Sequence, residues 1–274
     1  MGYRIFSNTI ATDIIPKKRF GEGMGCFSLS SSLAMALAPA VALYLLNVSN
    51  FRNVAILAGG LGIFALILSF FIKYNKVEKE EAIKERVALY EKISIGPSIV
   101  IFFVTASYGA IVGFIFLYAL EQGIKNIGVF FTVYAVSLLI TRPFLGKMVD
   151  RLGFNKVIYP GLIILVISMV LLSYASSMPY FIISAFLYGI GFGSVQSSLQ
   201  TMAILNAPKA RFGAANATFF TGFDGGIGFG SVIAGIVASA MGYSRMYLLF
   251  SIFLIIAIVL YFIIMKTERL KSIN

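Results

Sequence analysis

From Ile93 to Leu120 the chain runs 28 residues without a charged side chain, and Val54 to Ile72, Val157 to Pro208 and Met246 to Met265 repeat the pattern. A backbone inside hydrocarbon must satisfy its own N–H and C=O groups, which an α-helix of about 20 apolar residues does and an open strand cannot. Each run is long enough for one crossing, and the third for two. Composition agrees: 59% of the 274 residues are hydrophobic and 12% are charged, against about 25% charged in an average soluble domain. A water-soluble globule is excluded. Cys26 is the single cysteine and histidine is absent, so a disulfide framework, a Cys/His metal site and histidine-based catalysis or proton relay within the chain are excluded as well. No cofactor or metal is expected.

The net charge of +11 resembles a nucleic-acid signature until its positions are read. The pattern predicts eight transmembrane helices, at 23–46, 53–72, 95–120, 126–146, 156–175, 179–206, 213–239 and 245–265, in an all-α membrane protein. Counted on alternate sides of these spans, 19 Lys and Arg fall on one side and 3, Arg52, Lys125 and Arg245, on the other. Cytoplasmic loops keep positive charge, so the split predicts a multi-pass cell-membrane protein with both termini cytoplasmic, and no nucleic-acid partner. Tryptophan is absent, which leaves the interfacial belt to tyrosines near the outer span ends: Tyr44, Tyr118, Tyr174, Tyr180 and Tyr243. The first fifteen residues carry Arg4 and Asp13, lack a cleavage pattern, and have Phe6 where a myristoylation signal wants Ser or Thr. They read as the tail of a helix whose beginning is missing.

Self-similarity explains that tail. Ile15-Pro16-Lys17-Lys18-Arg19-Phe20-Gly21 returns as Ala207-Pro208-Lys209-Ala210-Arg211-Phe212-Gly213, 192 residues later. The same offset carries span 23–46 onto 215–238 and span 53–72 onto 245–264. Two parallel repeats of this kind describe a transporter whose halves are related by an axis along the membrane normal. Four spans precede the second copy of the loop and only fifteen residues precede the first, so the expected parent is a twelve-helix protein lacking three helices and most of a fourth. Residues 1–72 are then the remnant of an N-terminal half: the tail of helix 4, then helices 5 and 6. Residues 73–94 are a cytoplasmic charged linker, and 95–274 are a C-terminal six-helix half with a short cytoplasmic tail. In the linker Glu80 and Lys84 are four apart, and Ile83, Val87 and Tyr90 form a narrow apolar stripe, which predicts a surface helix.

Three groups of residues carry the chemistry. Asp224 lies 11 residues after Gly213, about 16 Å into its span. A charged side chain at that depth costs roughly 2.5–3.5 kcal/mol and faces a bundle interior or a wet cavity. Thr221, Asp224, Gly228 and Ser231 share one helical face, and Asp224 is the candidate for taking up a proton or binding a cationic substrate group; a protonated carboxyl bonded to a neighbouring hydroxyl is the structural alternative. Gln196 and Gln200, after the glycines Gly189, Gly191 and Gly193, and Thr105 and Tyr108 in the span 95–120, are further cavity candidates, with helix-to-helix hydrogen bonding as their alternative role. In the stretch Gly146 to Lys156, Gly146 and Gly153 permit a tight reversal, and Asp150 can face a helix N-terminus or pair with Arg142 or Arg151. Such a charge cluster can latch helix ends in one state and release them in another.

The stretch Gly146-Lys147-Met148-Val149-Asp150-Arg151-Leu152-Gly153-Phe154-Asn155-Lys156 resembles the loop G-x-x-x-D-R-x-G-x-x-K/R between the second and third helices of a half in the major facilitator superfamily. The spacing Gly25, Ala34, Ala38-Pro39, Ala42-Leu43 resembles that family's antiporter motif G-x8-G-x3-G-P-x2-G-G, with alanine at three glycine positions and leucine at the last. Its counterparts at the repeat offset are Ala217, Gly226, Gly230, Ser231, Ala234 and Gly235. The chain thus resembles an N-terminally truncated member of the bacterial twelve-helix drug and small-molecule efflux branch, over essentially residues 1–265. The resemblance implies a major facilitator type bundle lacking its first three to four helices, and proton-coupled efflux of small organic molecules by alternating access. Its partners would be the lipid bilayer, a small-molecule substrate, protons and a separately encoded N-terminal part. Two alternatives stay open: an importer of a small metabolite, and a non-transporting fragment or one part of a split transporter. The spans hold no paired-carboxylate, His or Cys/His site, so an enzyme is not expected.

Overall fold

The computed structural model describes residues 20–71, 90–205, 207, 208 and 211–271. Among these residues all regular structure is helical. Eight helices follow in order: α1 (Phe20–Val48), α2 (Phe51–Ser69), α3 (Lys92–Glu121), α4 (Gly128–Leu152), α5 (Asn155–Ser173), α6 (Met178–Leu205), α7 (Phe212–Met241) and α8 (Tyr243–Lys271). Six of them, α2, α3, α5, α6, α7 and the Tyr243–Thr267 part of α8, are long and apolar enough to cross a bilayer. In α4 the apolar stretch is shorter, Gly128–Thr141, and among the described side chains of α1 it covers Leu33–Leu46. The second half of α4 is instead charged, with Lys147, Asp150 and Arg151. The chain is an all-α membrane bundle.

The sequence repeat is visible in the helix boundaries. α2 starts at Phe51 and α8 at Tyr243, separated by the same 192 residues that separate the two copies in the sequence. The helix tail expected before residue 20 and the surface helix expected over Glu80–Val87 lie outside the described residues. Tyr90, at the end of that stretch, is exposed. The expected linker boundary moves: α3 begins at Lys92, and Glu91 and Ser94 are already buried.

α3 is the central helix. Its widest seam is with α7, and it also meets α6 and α8; α6 packs on α4 and α5, α5 on α8, and α1 lies across α4 and α6. Lipid tails are as apolar as leucine, so close van der Waals packing and interhelical hydrogen bonds hold such a bundle, not a hydrophobic driving force. The α3–α7 seam makes this concrete. A Cβ on Gly222, Gly226 or Gly230 would collide with the backbone carbonyl of Ser98, Phe102 or Ala106, and one on Gly109 with that of Ile227. Glycines four apart on α7 thus meet carbonyls four apart on α3, the approach at which Cα–H···O contacts form. Ser231 Oγ adds a cross-helix bond to Gly109 O at 3.1 Å.

Three local expectations are revised. Gly146 sits inside α4, which continues to Leu152, so Asp150 and Arg151 belong to its last turn; the reversal is made by Gly153 alone, at φ +83°. That left-handed backbone is the conformation glycine tolerates without steric cost. Pro39, whose ring and missing N–H predict a local break in its span, does not interrupt α1, which runs through it. Of the belt tyrosines, Tyr44 and Tyr174 are exposed as expected, but Tyr118 is buried. Its hydroxyl donates to Ala175 O at 2.9 Å and Ser173 O at 3.2 Å, fastening α3 to the α5–α6 connection. Its ring lies 5.3 Å from that of Tyr247 and 5.4 Å from that of Phe181.

Candidate functional site

Most hydroxyls inside the bundle bond to their own helix. Ser98, Thr105, Ser194 and Ser197 donate to the carbonyls of Ser94, Ile101, Ile190 and Gly193, each four residues earlier. This back-bonding satisfies a hydroxyl without a partner helix. The informative polar groups are those that cross between helices, and three such bonds gather mid-bundle. Ser107 on α3 and Tyr188 on α6 share a hydrogen bond of 2.8 Å. Ser137 Oγ on α4 donates to Phe186 O on α6 at 2.8 Å. Tyr108 Oη on α3 donates to Met35 O on α1 at 3.1 Å.

Around these bonds four aromatic rings form a nest. Tyr108 stacks on Phe192 at 5.2 Å and lies 6.0 Å from Tyr134; Tyr188 stacks on Phe192 at 5.8 Å and lies 6.0 Å from Tyr134. The nest draws on α3, α4 and α6 and is closed by α1, the helix belonging to the other repeat. Tyr108 is 16 residues from the start of α3, about 24 Å along a helix rising 1.5 Å per residue, so the nest lies deep in the membrane-crossing part. Phe223 on α7 extends it, 6.4 Å from Phe192, and Asp224 is the next residue. Asp224 is half-buried and engaged by a neighbour.

The predicted candidates therefore separate. Tyr108 is in the nest, and Asp224 is at its edge. Gln196 and Gln200 are buried on α6, 2% and 1% exposed, and each is engaged. Thr105 belongs to the α3–α7 seam instead, its hydroxyl against Gly226. Thr221 is exposed, with its hydroxyl donated to Ala217 O. The face expected to hold Thr221, Asp224, Gly228 and Ser231 is split: Thr221 and Gly228 are exposed, whereas Asp224 and Ser231 are half-buried. In the antiporter-like spacing Ala34 and Ala38 are exposed and Pro39 and Ala42 half-buried; among the described side chains of α1, Leu33, Met35, Ala40 and Leu43 pack against the core. The side chain of Arg142 lies outside the described residues.

Sequence reasoning missed Tyr134, Tyr188 and Phe192. A phenol in the middle of an uncharged span was the available signal, because its hydroxyl needs a partner there. It also missed Glu91, which it placed in the linker, and the role of Arg211, which it counted only as topological charge. The Glu91 side chain is 4% exposed and its Oε2 lies 3.1 Å from Arg211 Nη1. Its backbone N–H donates to Thr218 Oγ1 at 2.9 Å, and Ser94 Oγ donates to Ala203 O at 2.7 Å. The starts of α3 and α7 and the end of α6 are thereby clasped at the basic end of the bundle.

An apolar bundle of repeated helix pairs around a mid-depth polar and aromatic centre defines a polytopic membrane protein of the transporter type. The chain belongs to the Major Facilitator Superfamily, whose family model matches residues 2–130 and 124–274. Similar proteins include an uncharacterized MFS-type transporter of Methanocaldococcus jannaschii, 26% identical over 89% of this chain and 66% of the relative. The staphylopine export protein of Staphylococcus aureus is 22% identical over 95% of this chain and 69% of its own length. The multidrug resistance protein MdtG of Salmonella choleraesuis is 26% identical over 75% and 54%. The chain thus spans about two thirds of the first two relatives and about half of the third. The family and these relatives are transporters, not enzymes.

Proposed function

We infer that the chain works in proton-coupled efflux of small organic molecules across the cell membrane, by alternating access, with both termini cytoplasmic. One observation carries the reading: the buried polar and aromatic nest of Tyr108, Tyr134, Tyr188 and Phe192 lies where α1, from one repeat, meets α3, α4 and α6, from the other. A site between two halves is the place that rocking of one half against the other exposes alternately to each side. Asp224, next to Phe223, is the residue that takes up a proton or meets a cationic substrate group. Asp150 and Arg151, in the last turn of α4, act at the cytoplasmic gate together with the turn at Gly153. The export direction is supported by two relatives, a staphylopine export protein and a multidrug resistance protein.

The test is substrate-driven proton movement in membrane vesicles carrying a transport-competent form. Asp224→Asn is expected to abolish it or to uncouple it from pH, and unchanged pH-dependent efflux overturns the assignment. The direction of substrate-stimulated proton flux separates export from import of a small metabolite. A second reading is favoured by α2, which has no buried residue along its whole length: the chain acts with an N-terminal part supplied separately. Transport by the purified chain alone in proteoliposomes would end that reading.

A further inference from the structure

Away from the nest, at the basic end of the bundle, there is a cavity of about 340 Å³ whose lining includes Leu152, Phe154, Asn155, Lys156, Met202 and Met265. Its volume is in the range of ligand pockets, roughly 300–1,000 Å³. It forms because α4 ends at Leu152, Gly153 turns the chain, and α5 starts at Asn155 against the ends of α6 and α8. Four of these six side chains are apolar, Met202 being buried and Met265 half-buried. The polar part is small and positioned. Tyr261 Oη donates to Asn155 Oδ1 at 2.6 Å, and the Tyr261 ring lies 5.0 Å from that of Tyr159, edge to face. With its oxygen taken, the Asn155 amide keeps its two N–H donors. Lys156 supplies a cation, and Arg151 and Lys266, each next in the chain to a lining residue, are exposed. Asp150, two residues before Leu152, is already engaged.

The surroundings of the cavity are equally specific. Ile163 and Ile167 on α5 and Phe262 and Ile263 on α8 are half or more exposed, and α5 packs on α8. Exposed apolar side chains of both helices therefore continue from this end of the bundle into the membrane-crossing part. Apolar walls, an amide donor, a cationic rim and a continuing apolar track complement an amphipathic anion, and free phosphate would leave the walls unused.

We propose that this cavity binds one anionic phospholipid from the leaflet at the basic end. Its phosphate lies on Lys156 and the Asn155 amide, and an acyl chain runs over Leu152, Phe154 and Met265 onto the α5–α8 surface. That this leaflet is the cytoplasmic one rests on the orientation inferred above; the binding itself does not.

The test uses the full purified chain in nanodiscs of uniform composition, so neither orientation nor transport enters the readout. Native mass spectrometry is expected to detect one retained phosphatidylglycerol and no comparable retention of phosphatidylcholine. Lys156→Gln should weaken phosphatidylglycerol binding about fivefold, the share of one surface lysine at an anionic membrane, and leave the melting temperature in neutral lipid unchanged. Phe154→Ser should weaken lipid retention while Lys156 stays in place. Equal retention of the two lipids, or wild-type retention by Lys156→Gln, overturns the proposal. So does thermal stabilisation by inorganic phosphate equal to that by phosphatidylglycerol, which would mark a plain anion site.

Discussion

The helix pairs α1–α2 and α7–α8 occupy the same register of one sequence repeat, yet their matching faces sit in different surroundings. On α7, Gly226 and Gly230 are buried against α3; their counterparts on α1, Ala34 and Ala38, are exposed. On α8, Met246, Tyr247, Phe250, Leu254, Ala257 and Tyr261 are buried. The matching positions of α2 are Val54, Ala55, Ala58, Gly62, Ala65 and Ser69, and none is buried. Where these faces of α7 and α8 meet a neighbour, they carry glycine for the close seam with α3 and bulky side chains for the wider ones. The matching positions of α1 and α2 carry small residues, Val54 apart. Small residues set how near a neighbouring helix can come; they do not supply the neighbour.

Substitutions at paired positions sharpen this contrast. The largest effect is expected for Gly226→Leu, because the first added carbon meets Phe102 O and Thr105 Oγ1 and the two backbones must part. A loss of about 3 kcal/mol or more is expected, at the upper end for overpacking, seen as loss of the monodisperse peak and a lowered melting temperature in detergent. Ala34→Leu, its counterpart, should change the melting temperature little, and an equal loss would show that the α1 face is also packed. Leu254→Ala on α8 should follow at about 2 kcal/mol, against less than about 0.5 kcal/mol for Ile63→Ala on α2, the residue after its glycine counterpart Gly62, both read by thermal unfolding in one detergent.

Next is the clasp at the basic end. Arg211→Gln leaves the Glu91 carboxylate buried without its cation, which should cost about 1–3 kcal/mol, reduced from the cost for a fully buried pair by the exposure of the arginine. The double variant Glu91→Gln with Arg211→Gln should recover part of the loss, and additive losses would break the pairing. The smallest loss expected from removing a contact inside the bundle is that of Tyr108→Phe, which takes away the hydroxyl bond to Met35 O across the two repeats, about 0.6 kcal/mol for such a bond within a membrane. Hydrogen exchange at α1 should rise while α7 stays protected.

Part of this was legible beforehand. Uncharged runs located the helices because hydrocarbon imposes helix on every spanning segment, and the 192-residue repeat located the two related pairs. Local signals failed where the partner decides. Tyr118 reads like a belt tyrosine at a span end, but neighbouring α6 and α8 bury it. Thr105 reads like a cavity residue, but Gly226 is packed against it. Glu91 reads like the end of a charged linker, but Arg211 and Thr218 draw it into the bundle.

By itself, then, the sequence determined that this is a helical membrane protein with an internal repeat, that Asp224 lies deep in a span, and that Gly153 makes a turn. Each of these follows from the chemistry of one segment against lipid or of one backbone position. Only the tertiary structure decided which polar residues meet: the nest of Tyr108, Tyr134, Tyr188 and Phe192, the clasp of Glu91 and Arg211, and the amphipathic cavity at Lys156. Contacts between helices depend on rotation and neighbour, and a hydroxyl that can bond to its own helix or to the next one carries no local sign of which it will choose.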